Sequence, residues 1–304
     1  MPTSTPLDGA YDACRRIHRR YGRTFYLATR LLPRDRQPHV HALYAFARVA
    51  DEMVDSPGPT GPHDFLAWRV SATEQLRNDH PPHAVAEPVL AATWHTLRRY
   101  DLDPHLLEEF LDSMQQDLTV TRYDTWDDLR GYMRGSAAVI GELMAPLLGA
   151  RGDDALLRAG RLGEAFQLTN FVRDVAEDFG RGRVYLPQSD LRRFGATDDD
   201  IAAGVRDGRV NPRMRAVLAH EIARARALYA ESEAGVAAVD RWARPCLRAA
   251  SRLYAQILDE IEAADLDVFS RRAVVPHRDR VRAVLTSWRP LPGEHDPAGS
   301  TRRS

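Results

Sequence analysis

Residues 43–55 read LYAFARVADEMVD, a stretch that sets two carboxylates, Asp51 and Asp55, one helical turn apart among residues suited to a protein core. An α-helix turns about 100° per residue, so residues four apart project from nearly one face. On that geometry Tyr44, Arg48, Asp51 and Asp55 form one narrow polar stripe with Glu52 at its edge, while Ala42, Leu43, Phe46, Ala47, Val49, Ala50, Met53 and Val54 cover the rest of the cylinder. A surface helix shows the reverse balance, a limited apolar stripe and polar residues elsewhere. The pattern therefore predicts a helix packed on most sides, with its carboxylates pointing into an internal cavity. Buried carboxylates need a positive partner. Arg48 can supply one, in which case the motif is only an ion pair within the helix.

The same spacing recurs in QLTNFVRDVAEDFGRGRVYLP, residues 167–187. Projected as a helix, Gln167, Asn170, Asp174 and Asp178 share one stripe, and Leu168, Phe171, Val172, Val175 and Phe179 occupy the adjoining arc. Touching polar and apolar stripes suit a ligand with a charged head and a greasy tail. Two such pairs on separate helices gather four carboxylates around one cavity, where their repulsion calls for cations. Mg²⁺ fits, with Mn²⁺ as the alternative, because it takes oxygen ligands from a few carboxylates together with substrate phosphates and water. Asn170 adds a neutral oxygen to that stripe. Arg181 and Arg183, flanking a glycine, either cap the helix C-terminus or close over phosphates.

Composition narrows the classes further. The chain has 304 residues, 44% of them hydrophobic, enough for one large globular core, and its formal net charge of −1 gives no footprint for nucleic acid. All 42 basic residues are arginine, which removes Schiff-base catalysis, pyridoxal phosphate attachment and a P-loop lysine. Cys14 and Cys246 make neither a disulfide framework nor a zinc site. Scattered histidines such as His39 and His41 lack ligand spacing, and no CxxC, HExxH, GxSxG or GxGxxG motif appears. No apolar run reaches the length of a membrane span, and MPTSTPLDGA lacks the regions of a signal peptide. The expected location is the cytoplasm, with peripheral contact at a membrane left open.

Helical periodicity runs from end to end, and alternating β-branched runs are nearly absent, so the expected class is all-α. Capping-box spacing at Thr125/Asp128 and Thr197/Asp200, and Asp103 before Pro104, mark helix starts. They also assign Asp127, Asp153 and Asp198–Asp200 to capping and dipole complementation. Loops are expected at 56–63 and 80–83. A single helical domain over 8–288, with disordered tails at 1–7 and 289–304, is the simplest partition.

Taken together, YGRTF at residue 21, LYAFARVADEMVD at 43–55, MQQDLTVTRYDTWDDLRGY at 114–132, QLTNFVRDVAEDFGRGRVYLP at 167–187 and LDEIEAADLDVFSRRAVVP at 258–276 resemble the squalene/phytoene synthase family, most of all its bacterial phytoene synthases. The resemblance implies an isoprenoid synthase fold, two aspartate-rich helices facing each other across a central cavity, and a metal-dependent head-to-head condensation of two prenyl diphosphates. Carried over by position, Asp51, Asp55, Asn170, Asp174 and Asp178 hold the metal ions, the four aspartates being the catalytic set. Tyr21, Gly22, Arg23, Thr24, Tyr44, Arg48, Gln167, Tyr185, Tyr254 and Arg271 line the substrate sites.

Where the family carries Ser-x-Ser-Phe, this chain has Gly22, Arg23, Thr24 and Phe25, so Arg23 or the Gly22 amide is expected to replace a lost hydroxyl. Small residues at Ala28 and Thr29 leave room for a twenty-carbon chain and favour geranylgeranyl diphosphate as donor and phytoene as product. The rival readings are a fifteen-carbon donor giving dehydrosqualene, presqualene diphosphate or squalene, a terpene cyclase acting on one prenyl diphosphate, and a non-catalytic interaction protein.

Overall fold

The computed structural model describes residues 5–55, 61–291 and 294. These residues form helices and no strand, with one isolated bridge between Arg122 and Val184. In chain order the helices begin with α1 (Pro6–Tyr21), α2 (Arg23–Thr29), α3 (Gln37–Asp55), α4 (Pro62–Arg77), α5 (Pro88–Tyr100) and α6 (His105–Gln116). They are followed by α7 (Trp126–Met133), a π-helical turn at Arg134–Ala138, α8 (Val139–Leu147), α9 (Asp153–Arg173) and α10 (Val175–Gly180). The remainder is α11 (Gln188–Arg193), α12 (Asp198–Asp207), α13 (Pro212–Glu233), α14 (Gly235–Ala238), α15 (Arg244–Ala263) and α16 (His277–Thr286). Helix α3 packs on α1, α5, α6 and α8, while α9 packs on α8, α13 and α15, so the aspartate-bearing helices stand on different sides of the molecule's interior.

Helix starts follow local chemistry. Capping boxes close α1 at Thr5/Asp8, α7 at Thr125/Asp128 and α12 at Thr197/Asp200, each satisfying amides that have no partner inside the helix. Asp153 and Asp127 lie in first turns, as expected from the helix dipole. At Asp103 the expectation shifts by one residue. The helix begins at His105, not Pro104, and the Asp103 carboxylate accepts from the His105 amide at 2.9 Å. The 80–83 loop is present. Of the 56–63 loop, residues 56–60 lie outside the described residues, and Pro62 and His63 open α4.

The described fold also passes the expected 8–288 limits. Thr5 caps α1, and Glu294 pairs with the buried Arg248, which further donates to the carbonyls of Ser287 and Trp288 at 3.3 Å. The sequence pattern could not show this, because the partner of Glu294 lies 46 residues away.

Helix α3 has the wide buried face that its composition requires. Leu43, Phe46, Ala50 and Val54 join the main core, and Ala42 and Ala45 pack with Ala10 and Cys14 of α1. His39 and His41 are buried core residues with side-chain partners. His39 shares Tyr11 and Thr96 as partners, and His41 Nδ1 lies 2.9 Å from His18 Nδ1. The second aspartate helix departs from expectation. Instead of running unbroken, α9 ends at Arg173, Asp174 leaves helical geometry (φ −103°, ψ 16°), and α10 resumes at Val175. Backbone bonds Asp174 N to Asn170 O and Asp178 N to Asp174 O, both 2.8 Å, span the break and preserve the stripe.

Candidate active site

A cavity of about 880 Å³ lies between α3 and the α9–α10 pair. Every expected site residue but one lines it: Tyr21, Gly22, Arg23, Thr24, Tyr44, Arg48, Asp51, Asp55, Gln167, Asn170, Asp174, Asp178, Tyr185 and Tyr254. The exception is Arg271, which is exposed and outside the lining. Its neighbour Arg272 takes the place, donating to both Asp174 oxygens at 2.7 and 2.8 Å. Two adjacent arginines in a segment without regular structure cannot be told apart by periodicity. Only the path of the chain turns one of them inward.

Within each aspartate pair one carboxylate is strongly clamped and the other is left short of positive charge. Asp55 accepts from Arg183 Nη1 at 2.6 Å, with Arg181 at 3.5 Å. Asp174 is gripped by Arg173 and Arg272. Burial acting alone would raise its carboxyl, but the four guanidinium bonds bring it below the usual range. By contrast, burial together with the neighbouring Asp55 pushes the Asp51 carboxyl up to about 7, even though Arg48 Nη1 lies 2.5 Å away. The Asp51 side chain is 41% accessible, but this surface faces the cavity. Asp178, whose nearest cation is Arg181 at 3.8 Å, is pushed up to about 8 by burial and by Asp174.

Arg181 and Arg183 do more than end a helix, because they tie α10 back to α3. Gly182 makes their turn with φ +83°, a conformation that disfavours any side chain. The loop is fastened from the far side by Val184 N to Thr121 O at 2.9 Å and by Arg122 Nη1 to Gly182 O at 2.7 Å.

The residues fit a divalent cation. Asn170 Oδ1 is buried without a hydrogen-bond partner, while its amide nitrogen donates to Gln167 Oε1 at 3.4 Å, so a neutral oxygen is available beside the under-compensated Asp178. A tighter acidic group, Asp190, His220 and Glu221, lies between α11 and α13. There Arg224 Nη1 stands 2.8 Å from Asp190 and 2.7 Å from Glu221, in the place an ion would take.

The expectation for the Gly22 amide is overturned. It donates to the His18 carbonyl at 2.9 Å, closing α1, and has no hydrogen left for a phosphate. Glycine has a different use here, since a Cβ at this position would come within 2.6 Å of the Tyr44 ring. That ring stacks on His18 at 4.0 Å. Arg23 and Thr24 remain on the cavity wall as donors.

Beyond the carboxylates the cavity turns apolar, lined by Phe25, Ala28, Leu32, Met114, Ile140 and Phe166 among others. Tyr254 packs against both Phe25 and Phe166, with ring centroids 4.4 and 4.6 Å away, and those two rings also touch each other. Sequence reasoning missed Asp117, whose carboxylate accepts from Tyr132 Oη at 2.6 Å and Tyr185 Oη at 3.0 Å where the polar and apolar regions meet. It belongs to the quoted 114–132 block, but a lone aspartate has no spacing signal to mark it.

The comparisons agree with this geometry. The family model for squalene/phytoene synthase matches residues 18–279. The chain belongs to the squalene/phytoene synthase family. A phytoene synthase from Arthrospira platensis is 36% identical over 289 residues, covering 91% of each chain. The 15-cis-phytoene synthase of Synechococcus elongatus is 35% identical, covering 89% of each. Among solved structures, a dehydrosqualene synthase in complex with a ligand superposes with a TM-score of 0.82 at 25% identity, over 93% of this chain and 98% of the other. A squalene synthase from Alicyclobacillus acidocaldarius gives 0.74 at 29% identity, over 86% and 96%. The squalene/phytoene synthase family is a family of prenyl-diphosphate-using enzymes, typically metal-dependent.

Proposed function

We propose that this squalene/phytoene synthase joins two geranylgeranyl diphosphates head to head into phytoene, the first committed step toward carotenoids. The carrying observation is one cavity in which two carboxylate pairs and a ring of arginines open directly onto an apolar, aromatic-lined chamber. The C₂₀ donor is supported by the phytoene synthases at about 36% identity and by Ala28 and Thr29, which are small, buried and part of the cavity wall. Asp51, Asp55, Asn170, Asp174 and Asp178 would hold Mg²⁺. Bound there, the ion supplies charge neutralisation and electron withdrawal at the diphosphate.

The chemistry proceeds in two ionisations. In the first, the C–O bond of one donor breaks and diphosphate leaves with the electron pair. The double bond of the second donor attacks the allylic cation, and loss of a proton closes a cyclopropyl diphosphate. In the second, that diphosphate leaves, the skeleton rearranges and another proton is lost, giving the linear hydrocarbon. Arg48, Arg181, Arg183 and Arg272 are placed to receive diphosphate oxygens as the charge develops. The aromatic faces of Phe25, Phe166, Phe171 and Tyr254 surround a cation without trapping it. Burial raises the Tyr132 and Tyr185 phenols far above neutrality, so beside Asp117 they stay protonated and are poor nucleophiles toward the cation. The apolar walls exclude the water that would quench it.

Replacing Asp51 or Asp174 by alanine tests the site. Diphosphate release from geranylgeranyl diphosphate should fall by about 10³-fold or more, the order of a lost transition-state electrostatic contact, with the far-UV helical signal unchanged. Turnover near wild type in either variant would remove the metal site from the account.

A further inference from the structure

Among the described residues, the last helix, α16, carries a face on which no other element packs, beside the cavity. Of the nine large hydrophobic residues exposed among the described residues, four fall between positions 274 and 288: Val274 (59%), Val281 (42%), Leu285 (72%) and Trp288 (69%). Val281 and Leu285 share one face of α16, and Trp288 follows in the turn that leaves the helix. Arg278, Arg282 and Arg289 flank them on an adjacent stripe.

Between residues 271 and 289 there are six arginines and a single carboxylate, Asp279, which Arg278 already pairs at 3.3 Å. Arg282 and Arg289 make no ion pair among the described residues. The helix end is fastened from behind. Arg252 of α15 donates to the carbonyls of Thr286, Arg289 and Pro290, and Arg248 to those of Ser287 and Trp288, so the indole is held outward by the fold. Val274 and Arg272 are both exposed and part of the cavity wall, which continues through the buried Val275, so the cavity reaches the surface at the segment that leads into α16.

We propose that the outer face of α16, with Val274 and Trp288, docks on an anionic phospholipid bilayer and sets the cavity mouth against it. A lipid surface is favoured because the patch combines what such a surface selects. It has an aliphatic stripe short enough to dip into the interface, a tryptophan at its edge and arginines placed for lipid phosphates. No helix of the described residues is long and apolar enough to cross a membrane, so the contact is peripheral. The arrangement also suits the proposed chemistry, since a forty-carbon hydrocarbon has no tolerable path through water. That purpose rests on the functional reading above, whereas the binding itself does not.

Co-sedimentation of the full chain, without substrate, with phosphatidylcholine vesicles containing or lacking phosphatidylglycerol tests the surface. The wild type should partition to the anionic vesicles, and less so as salt rises. Leu285→Ser with Trp288→Ser, and separately Arg282→Glu with Arg289→Glu, should each weaken binding by about tenfold or more. Both double variants should keep their circular dichroism and their turnover of detergent-solubilised donor. Three results would overturn the proposal: wild type left in the supernatant, equal binding to neutral vesicles, or double variants that bind as wild type. So would concentration-dependent self-association that both double variants abolish in the absence of vesicle binding, since the face would then join two copies of the chain. Failed vesicle binding with intact turnover would discard the surface alone, and intact binding with no turnover would discard the functional reading alone.

Discussion

The two aspartate pairs have the same spacing and are built differently. Asp51 and Asp55 sit on one unbroken helix, and the nearest cation to Asp51, Arg48, comes from that helix. Asp174 and Asp178 straddle a break, and Asp174 is bound by Arg173 beside it and by Arg272, 98 residues along the chain. In both pairs the inter-element clamp falls on one carboxylate, Asp55 or Asp174, leaving Asp51 and Asp178 raised to about 7 and about 8. The clamps fix the geometry, and the unclamped partners retain the charge deficit that a divalent ion can fill. Asp190 and Glu221 differ in place: Arg224 already stands between them, and neither lines the cavity.

The division between clamped and open carboxylates can be broken experimentally. Arg183→Gln removes a largely buried partner from Asp55 and unties α10 from α3. Loss of one side of a buried charge pair costs about 2–5 kcal/mol, so kcat/KM should fall by roughly a hundredfold. A value within threefold of wild type would show that the tie across the cavity is dispensable.

Arg272→Gln tests the other clamp. Its side chain is 55% exposed and Asp174 keeps Arg173, so the expected loss is smaller, about tenfold. A larger loss than for Arg183→Gln would reverse the ranking of the two pairs. Thr29→Phe leaves both pairs intact and fills apolar depth. Products should shift toward shorter donors, read as the ratio of thirty- to forty-carbon hydrocarbon when both donors are supplied, and an unchanged ratio would remove Thr29 from length selection.

The smallest effect concerns acid stability, and it separates the two aspartate helices. Helix α3 carries His39 and His41 and packs on His18, whereas α9 has no histidine. Burial, with His41 close by, holds the His18 imidazole down to about 2, and burial holds His39 and His41 down to about 4. Because these folded values lie below the unfolded value of 6.5, the unfolded chain binds more protons, so the stability they contribute above pH 6.5 is lost as pH falls. In His18→Asn one such proton is removed, and the stability of wild type relative to the variant should drop by about 1.4 kcal/mol per pH unit below 6.5 in urea titrations. A constant difference across that range would mean that His18 is not held neutral in the fold.

What the sequence made legible follows from the range of each signal. Helical periodicity acts over one to four turns, so the α3 stripe, the α9–α10 stripe and the capping residues could be found before any coordinates, and all four aspartates do face one cavity. The break at Asp174 was invisible because bonds spanning it keep the stripe's period. The choice of Arg272 over Arg271, the consumption of the Gly22 amide by His18, and the Asp117 anchor for Tyr132 and Tyr185 all depend on segments meeting in space. The Arg248–Glu294 pair is of the same kind, joining residues 46 positions apart.

The central claim is that these two pairs serve one coupling reaction between two prenyl chains. The most direct measurement is an incubation of purified protein with Mg²⁺ and, separately, geranylgeranyl or farnesyl diphosphate, followed by mass analysis of the hydrocarbons and retained diphosphates. The account predicts a forty-carbon hydrocarbon, with its cyclopropyl diphosphate precursor, from the longer donor. A thirty-carbon hydrocarbon from the shorter donor alone would contradict the chain-length assignment. Folded, Mg²⁺-supplied protein that consumes neither donor would contradict the account as a whole.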